Sequence, residues 1–137
     1  MSEFKPELSK DNPYYIGRHR YYELKHFCLQ YPSWQKQLKM LEPPLTPEFV
    51  ERFQKASALP NPTERIAVMR AAISECSKLV EDAAKEADPE LAKWLLAGVT
   101  EGRNYENLQT TMGIPCSRDT YYDRYRKFFW ILSKNRT

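Results

Sequence analysis

Helix-start signals that contain proline recur along this sequence and separate segments whose apolar residues have a helical spacing. Residues 46–48 (Thr-Pro-Glu) and 88–90 (Asp-Pro-Glu) each combine a capping side chain, a proline suited to the first turn and an acidic residue. Between such signals apolar residues recur three and four positions apart, and no stretch shows the sustained alternation that is typical of strands. The sequence therefore predicts an all-α fold.

The 137-residue chain is expected to have three parts. Residues 1–13 are polar and are expected to form a flexible tail. Residues 14–87 are expected to form a helical N-terminal region that ends in a long central helix. Residues 88–137 are expected to form a C-terminal helix-turn-helix module.

The N-terminal region is predicted to contain several helices. We expect one helix over residues 15–29, a second that Ser33 caps and that runs to residue 41, and a third that presents Phe49 and Phe53. Thr63 is expected to cap the longest helix, which runs to about residue 87. An apolar stripe on this helix should face a partner within the chain, with a homodimer seam as the alternative. The stripe consists of Ile66, Met69, Ile73, Cys76 and Val80.

Positive charge and aromatic residues are concentrated towards the ends of the chain. The net charge is +3, but residues 103–137 carry seven Lys and Arg against three Asp and Glu, whereas residues 42–102 carry seven against eleven. Basic residues interleaved with aromatic ones suit a polyanionic partner, because cations neutralise phosphates and aromatic rings offer stacking faces. The C-terminal third is therefore the candidate nucleic-acid-binding part.

This C-terminal third contains two helices joined by a turn. Asn104 is expected to cap a helix over residues 105–112, and Gly113 to take the left-handed position that commonly ends a helix. Ile114 should plug the core, and Ser117 should cap the final helix. A short helix, a glycine turn and a capped basic helix predict a helix-turn-helix whose second helix enters the major groove of DNA.

The final helix is predicted to have one buried and one polar side. At about 100° per residue, four residues fall in a buried stripe about 60° wide, namely Tyr121, Tyr125, Phe128 and Leu132. The polar side of the first half is expected to face solvent, where its side chains can contact base edges. The candidate base-reading residues are Arg118, Asp119, Tyr122, Asp123 and Arg126. The candidate contacts to the DNA backbone are Arg103, Asn104, Ser117, Lys127, Lys134 and Arg136.

The same region resembles a known regulator family. The segments 95–102 (LLAGVTEG), 104–108 (NYENL) and 116–130 (CSRDTYYDRYRKFFW) are similar to the sigma-region-4-like module of phage late transcriptional activators of the RinA and ArpU type. The N-terminal region is similar to these proteins in layout only. The resemblance implies a phage or prophage transcriptional regulator in a bacterial host cell, whose last helix reads DNA through the candidate base-reading residues.

No other type of site is predicted. His19 and His26 lie seven residues apart on one helical face near Cys28, but only Glu23 offers a further ligand, so no metal site is expected. The sequence has no glycine-rich phosphate loop and no serine nucleophile motif, so neither an enzyme nor a cofactor is expected. We also expect no membrane segment and no secretory signal, and therefore a cytoplasmic location.

Two alternative functions remain open. In the first, the protein is an interaction module, and the aromatic residues of segment 14–34 form a surface that docks RNA polymerase or another host or phage factor. In the second, the protein is a packaging protein, such as a small terminase subunit, that marks viral DNA. The candidate partners are therefore double-stranded DNA, RNA polymerase and a second copy of the chain. Within segment 14–34 we expect Leu24 and Phe27 to be buried, and at least one tyrosine of each pair, 14–15 and 21–22, to be exposed.

Overall fold

The computed structural model describes residues 12–42, 47–48, 51–52 and 62–136. This part of the chain is helical and contains no strand, which confirms the predicted all-α class. Most of the predicted tail at residues 1–13 lies outside the described residues, as do Phe49 and Phe53. The helices are Arg18–Leu29 (α1), Tyr31–Met40 (α2), Pro62–Ala87 (α3), Ala92–Glu101 (α4), Tyr105–Met112 (α5) and Arg118–Asn135 (α6).

The junction between α1 and α2 is tighter than predicted. Gln30, the single residue between these helices, keeps a helical conformation with φ −79° and ψ −13°. Pro32 is therefore accommodated in the first turn of α2, where a missing backbone N–H costs nothing. The prediction that Ser33 caps this helix is wrong, because Ser33 lies inside α2 and its hydroxyl accepts a hydrogen bond from the Gln37 side chain at 3.1 Å.

The long helix α3 ends at Ala87, as predicted, but it begins at Pro62, so Thr63 lies inside the helix and the prediction that it caps α3 is wrong. Its apolar stripe faces the protein interior only in part: Ile66 and Val80 are 4% and 0% exposed, but Met69 is 38% exposed. The prediction was therefore wrong for Met69. Val68, on another face of this part of α3, is 65% exposed, so the first half of the helix is less covered than the second.

The core is centred on the contact between α3 and α6, which is the most extensive contact between any two described helices. Helices α1 and α4 also contact α6, so the last helix has neighbours on several sides. Leu91, just before α4, and Leu95 and Val99 within it are buried, and Ile114 fills the core after α5 as expected. The position of α6 in the middle of the fold determines which of its side chains reach solvent.

The aromatic residues of segment 14–34 are mostly part of this core. Leu24 and Phe27 are buried, as predicted. Neither tyrosine pair keeps an exposed member, however, because Tyr14, Tyr15 and Tyr22 are half-buried and Tyr21 is buried. The Tyr21 ring packs edge-on against Phe129 with ring centroids 5.2 Å apart, and the Tyr14 ring lies 5.5 Å from that of Trp130. Segment 14–34 therefore covers the second half of α6, and the expectation of exposed tyrosines was wrong.

Candidate nucleic-acid interface

The connection between α5 and α6 is built from the capping residues that the sequence predicted. The Asn104 side chain accepts a hydrogen bond from the backbone N–H of Asn107 at 2.9 Å, and the Ser117 hydroxyl accepts one from the N–H of Thr120 at 3.2 Å. Gly113 has φ 60° and ψ 46°, the left-handed conformation that ends α5. Both helix starts and the turn between them are therefore defined by local interactions.

Further hydrogen bonds connect this region to its surroundings. The Tyr105 hydroxyl donates to the Cys116 carbonyl at 2.5 Å, and the Tyr105 backbone N–H donates to the Tyr122 hydroxyl at 3.3 Å. The indole N–H of Trp94 on α4 donates to the Met112 carbonyl at 3.0 Å. The start of α5 is thus joined to α6, and its end is joined to α4.

The buried side of α6 is wider than predicted. Tyr121, Phe128 and Leu132 are all 0% exposed, in agreement with the expected stripe, whereas its fourth member, Tyr125, is half-buried. Tyr122 and Phe129 are also buried, at 9% and 0%. At about 100° per residue the buried arc covers about half of the helix circumference. This follows from the several helices that contact α6, and it corrects the placement of Tyr122, which was expected on the solvent face.

The other candidate base-reading residues lie at or near the surface. Arg118 and Asp119 are exposed, whereas Asp123 and Arg126 are half-buried. The Arg118 guanidinium donates through Nε to Glu106 Oε1 on α5 at 3.3 Å, which leaves the arginine side chain 53% exposed. The outer face of α6 therefore carries both positive and negative groups close to the turn.

Arg124 makes a contact that the sequence did not predict. Its guanidinium pairs with the neighbouring Asp123, and its Nε donates to Asp88 Oδ2 at 3.1 Å. The hydrogen bond to Asp88 is the main factor that raises the pKa of Arg124 above its ordinary value. Asp88 Oδ1 also accepts from the backbone N–H groups of Glu90 and Leu91 at 3.0 and 3.2 Å. Asp88 thus stabilises a turn before α4, rather than capping α4 as the Asp-Pro-Glu signal suggested, and attaches that turn to α6.

Arg103 lies in the turn between α4 and α5 rather than on α6. Its guanidinium donates to Asn107 Oδ1 at 3.0 Å and to Thr111 Oγ1 at 3.2 Å, and it is 3.4 Å from the Glu101 carboxylate. An open polar cleft of about 490 Å³ lies beside it, lined by Glu101, Gly102, Arg103, Asn104 and Asn107. Because Glu106, the partner of Arg118, also lies on α5, Arg103 and Arg118 are both held by side chains of that helix.

The last two candidate backbone contacts lie at the opposite end of α6. Lys134 is sixteen residues beyond Arg118, which corresponds to about 24 Å along a helix. The Lys134 Nζ lies 3.6 Å from the centre of the Trp130 ring. The Arg136 guanidinium lies 4.2 Å from the Phe27 ring centre and pairs with Glu23 at 2.6 Å. The structure therefore separates these two residues from the start of α6, and it joins Arg136 to α1.

Within the described ranges, no group of three His, Cys, Asp or Glu side chains is arranged to hold a metal ion. His19 and His26 are both exposed on α1. None of the helices in the described part of the chain is both long and apolar enough to span a bilayer. Models of protein families, curated proteins and solved structures were all compared with the chain, and none of them matches it.

Proposed function

We propose that this protein binds duplex DNA through α5 and α6, with the first half of α6 in the major groove. The observation that carries this proposal is the pair of capped helices joined by the left-handed Gly113, with charged side chains on the outer face of the second helix. An α-helix fits the width of the major groove, and a helix pair of this kind commonly presents the start of its second helix to base edges.

The charge distribution supports a polyanionic partner. Residues 103–137 have four more basic than acidic residues, and the remainder of the chain has a net charge close to zero. We assign phosphate contacts to Lys127, which is half-buried on α6, and to Arg103, which lies in the turn before α5. Lys134 and Arg136 are less suitable, since they lie about 24 Å or more along α6 from Arg118.

The regulatory part of the proposal comes from the resemblance of residues 95–130 to phage late transcriptional activators. We infer from it that the protein is a phage-type transcriptional regulator, with DNA as its partner and no cofactor. A small terminase-like packaging protein would also bind DNA, but it would not change transcription from a promoter that carries the bound site. A reporter placed behind such a promoter separates these two functions.

A selection from random duplexes followed by binding titrations tests the proposal. We expect one enriched sequence, and a loss of about 1–3 kcal/mol on that sequence for Arg126→Ala, with a smaller loss on unrelated duplexes. Lys127→Ala should weaken binding to all duplexes and lower the slope of log K against log salt by about 1. Lys93→Ala, on an exposed position of α4, is the matched control and should change neither quantity.

Two results would contradict the proposal. One is the absence of salt-dependent duplex binding by the wild-type protein. The other is binding that Lys93→Ala weakens as much as Lys127→Ala does, because that would place the contact surface away from α6.

A further inference from the structure

Arg118 is held in a defined position at the start of α6 by two contacts. Its Nε donates to Glu106 Oε1 at 3.3 Å, and its guanidinium carbon lies 4.9 Å from the centre of the Tyr122 ring. The Tyr122 ring is only 9% exposed, and its hydroxyl accepts the Tyr105 backbone N–H. The arginine therefore lies between a carboxylate on α5 and a ring that is anchored in the core.

These contacts occupy one part of the guanidinium and leave another part unused. Within the described residues, Nε of Arg118 is bonded to Glu106, and its two terminal amino groups have no hydrogen-bond acceptor. The side chain is 53% exposed. The terminal amino groups of an arginine form a planar fork, and this fork matches the two acceptors, O6 and N7, that guanine presents in the major groove.

We propose that Arg118 reads a guanine in the major groove, and that Glu106 and Tyr122 are positioning residues that orient its guanidinium for this contact. The inference rests on the proposed DNA-binding function and adds the identity of one base. Glu106 fixes the Nε side of the arginine, and the Tyr122 ring supports the plane of the guanidinium. With both contacts in place, the Arg118 side chain loses less rotamer freedom when the contact to the base forms.

The size of the expected effect follows from how exposed these contacts are. A bidentate contact between arginine and guanine discriminates against other bases by roughly 5- to 150-fold. An exposed ion pair is much weaker, so loss of the Glu106 carboxylate should reduce that discrimination roughly two- to fivefold without abolishing it. The two variants should therefore affect the same base pair to different extents.

The test uses the full chain, the selected duplex and all single-base-pair substitutions of that duplex. Arg118→Ala should remove the preference for one G·C pair and leave the preferences at other positions unchanged. Arg118→Lys keeps the positive charge but lacks the fork, so it should lose the same preference while retaining its salt dependence. Thermal melts of each variant establish that it is folded.

The role of Glu106 is tested at that same base pair. Glu106→Ala should lower the preference for guanine, whereas Glu106→Gln should largely retain it, because the amide oxygen still accepts a hydrogen bond from Nε. Glu101→Ala removes the carboxylate that faces Arg103 instead, and is the matched control. A purely structural role for Glu106 would change the melting temperature and weaken binding to all duplexes equally.

The possible failures can be distinguished from one another. If the wild-type protein binds no duplex, the proposed function is wrong and this inference fails with it. If it binds but Arg118→Ala weakens all duplexes equally, the arginine contacts phosphate and only the inference is overturned. If Arg118→Ala removes the guanine preference but Glu106→Ala leaves it unchanged, the positioning role of Glu106 is wrong.

Discussion

A close contact between Gly98 on α4 and Tyr121 on α6 offers a sharp test of the core. A β-carbon added to Gly98 would lie 2.2 Å from the Tyr121 hydroxyl oxygen, and 3.4 Å from both the Arg103 carbonyl oxygen and a methyl group of Leu108. Tyr121 is 0% exposed, and its hydroxyl has no hydrogen-bond partner in the described part of the chain. The hydroxyl therefore fills the space beside Gly98 without forming a bond of its own.

We predict that the effect of Gly98→Ala on stability changes sign with the residue at position 121. In the wild-type background the added methyl group overpacks the contact at a cost of about 1–3 kcal/mol. Replacing glycine within a helix gains about 1 kcal/mol, which leaves a net loss of up to about 2 kcal/mol. Tyr121→Phe removes a buried hydroxyl without a partner, so it should be neutral or should stabilise by about 1 kcal/mol. In that background Gly98→Ala should stabilise the protein by about 1 kcal/mol.

Urea denaturation followed by circular dichroism measures the free energies of unfolding of the two single variants and the double variant. Tyr105→Phe is the matched control, because the Tyr105 hydroxyl donates to the Cys116 carbonyl and its removal should destabilise the fold. This control should not rescue Gly98→Ala. Stabilisation by Gly98→Ala in the wild-type background, or equal effects in both backgrounds, would refute the reasoning.

Three further predictions concern other parts of the fold. Asp88→Ala should lower the free energy of unfolding by about 1 kcal/mol or more, because it removes two hydrogen bonds from backbone N–H groups and the ion pair with Arg124. In the same denaturation experiment, Asp88→Asn should lower it by less. Burial raises the pKa of the Cys28 thiol, so an alkylating reagent at pH 8 should modify Cys28 only after urea has unfolded the protein. Peptide mass spectrometry measures this modification, and rapid alkylation of Cys28 in the native protein would contradict its burial. Val68→Asp should leave the melting temperature nearly unchanged because the Val68 side chain is 65% exposed, whereas Val80→Asp should prevent stable folding because Val80 is 0% exposed. Similar effects of the two substitutions would be inconsistent with the structure.

The features that could be predicted from the sequence are those that depend on neighbouring residues. Asn104 and Ser117 cap the helices that follow them, and Gly102 and Gly113 end the helices before them in left-handed conformations. Each of these interactions spans only a few residues, so its chemistry is visible in the sequence itself. The boundaries of α5 were therefore correct at both ends.

The features that could not be predicted depend on contacts between distant parts of the chain. Tyr122 lies outside the predicted stripe but is buried, because more than one helix covers α6. The contacts of Arg136 with the Phe27 ring and with Glu23, more than 100 residues away in the sequence, could not be predicted from its charge and its position near the chain end. Met69 has the spacing of a core residue but remains partly exposed, because periodicity shows which residues share a face and not whether another element covers it.

Two-dimensional amide NMR spectra of isotope-labelled protein, recorded as the selected duplex is added, test the central claim most directly. The account predicts that the largest chemical-shift changes fall on residues 117–127, at the start of α6, with smaller changes near Arg103. The amides of the first half of α3 should keep their positions. Changes confined to α3, or a spectrum that the duplex leaves unaltered, would contradict the claim that α6 is the DNA-binding element.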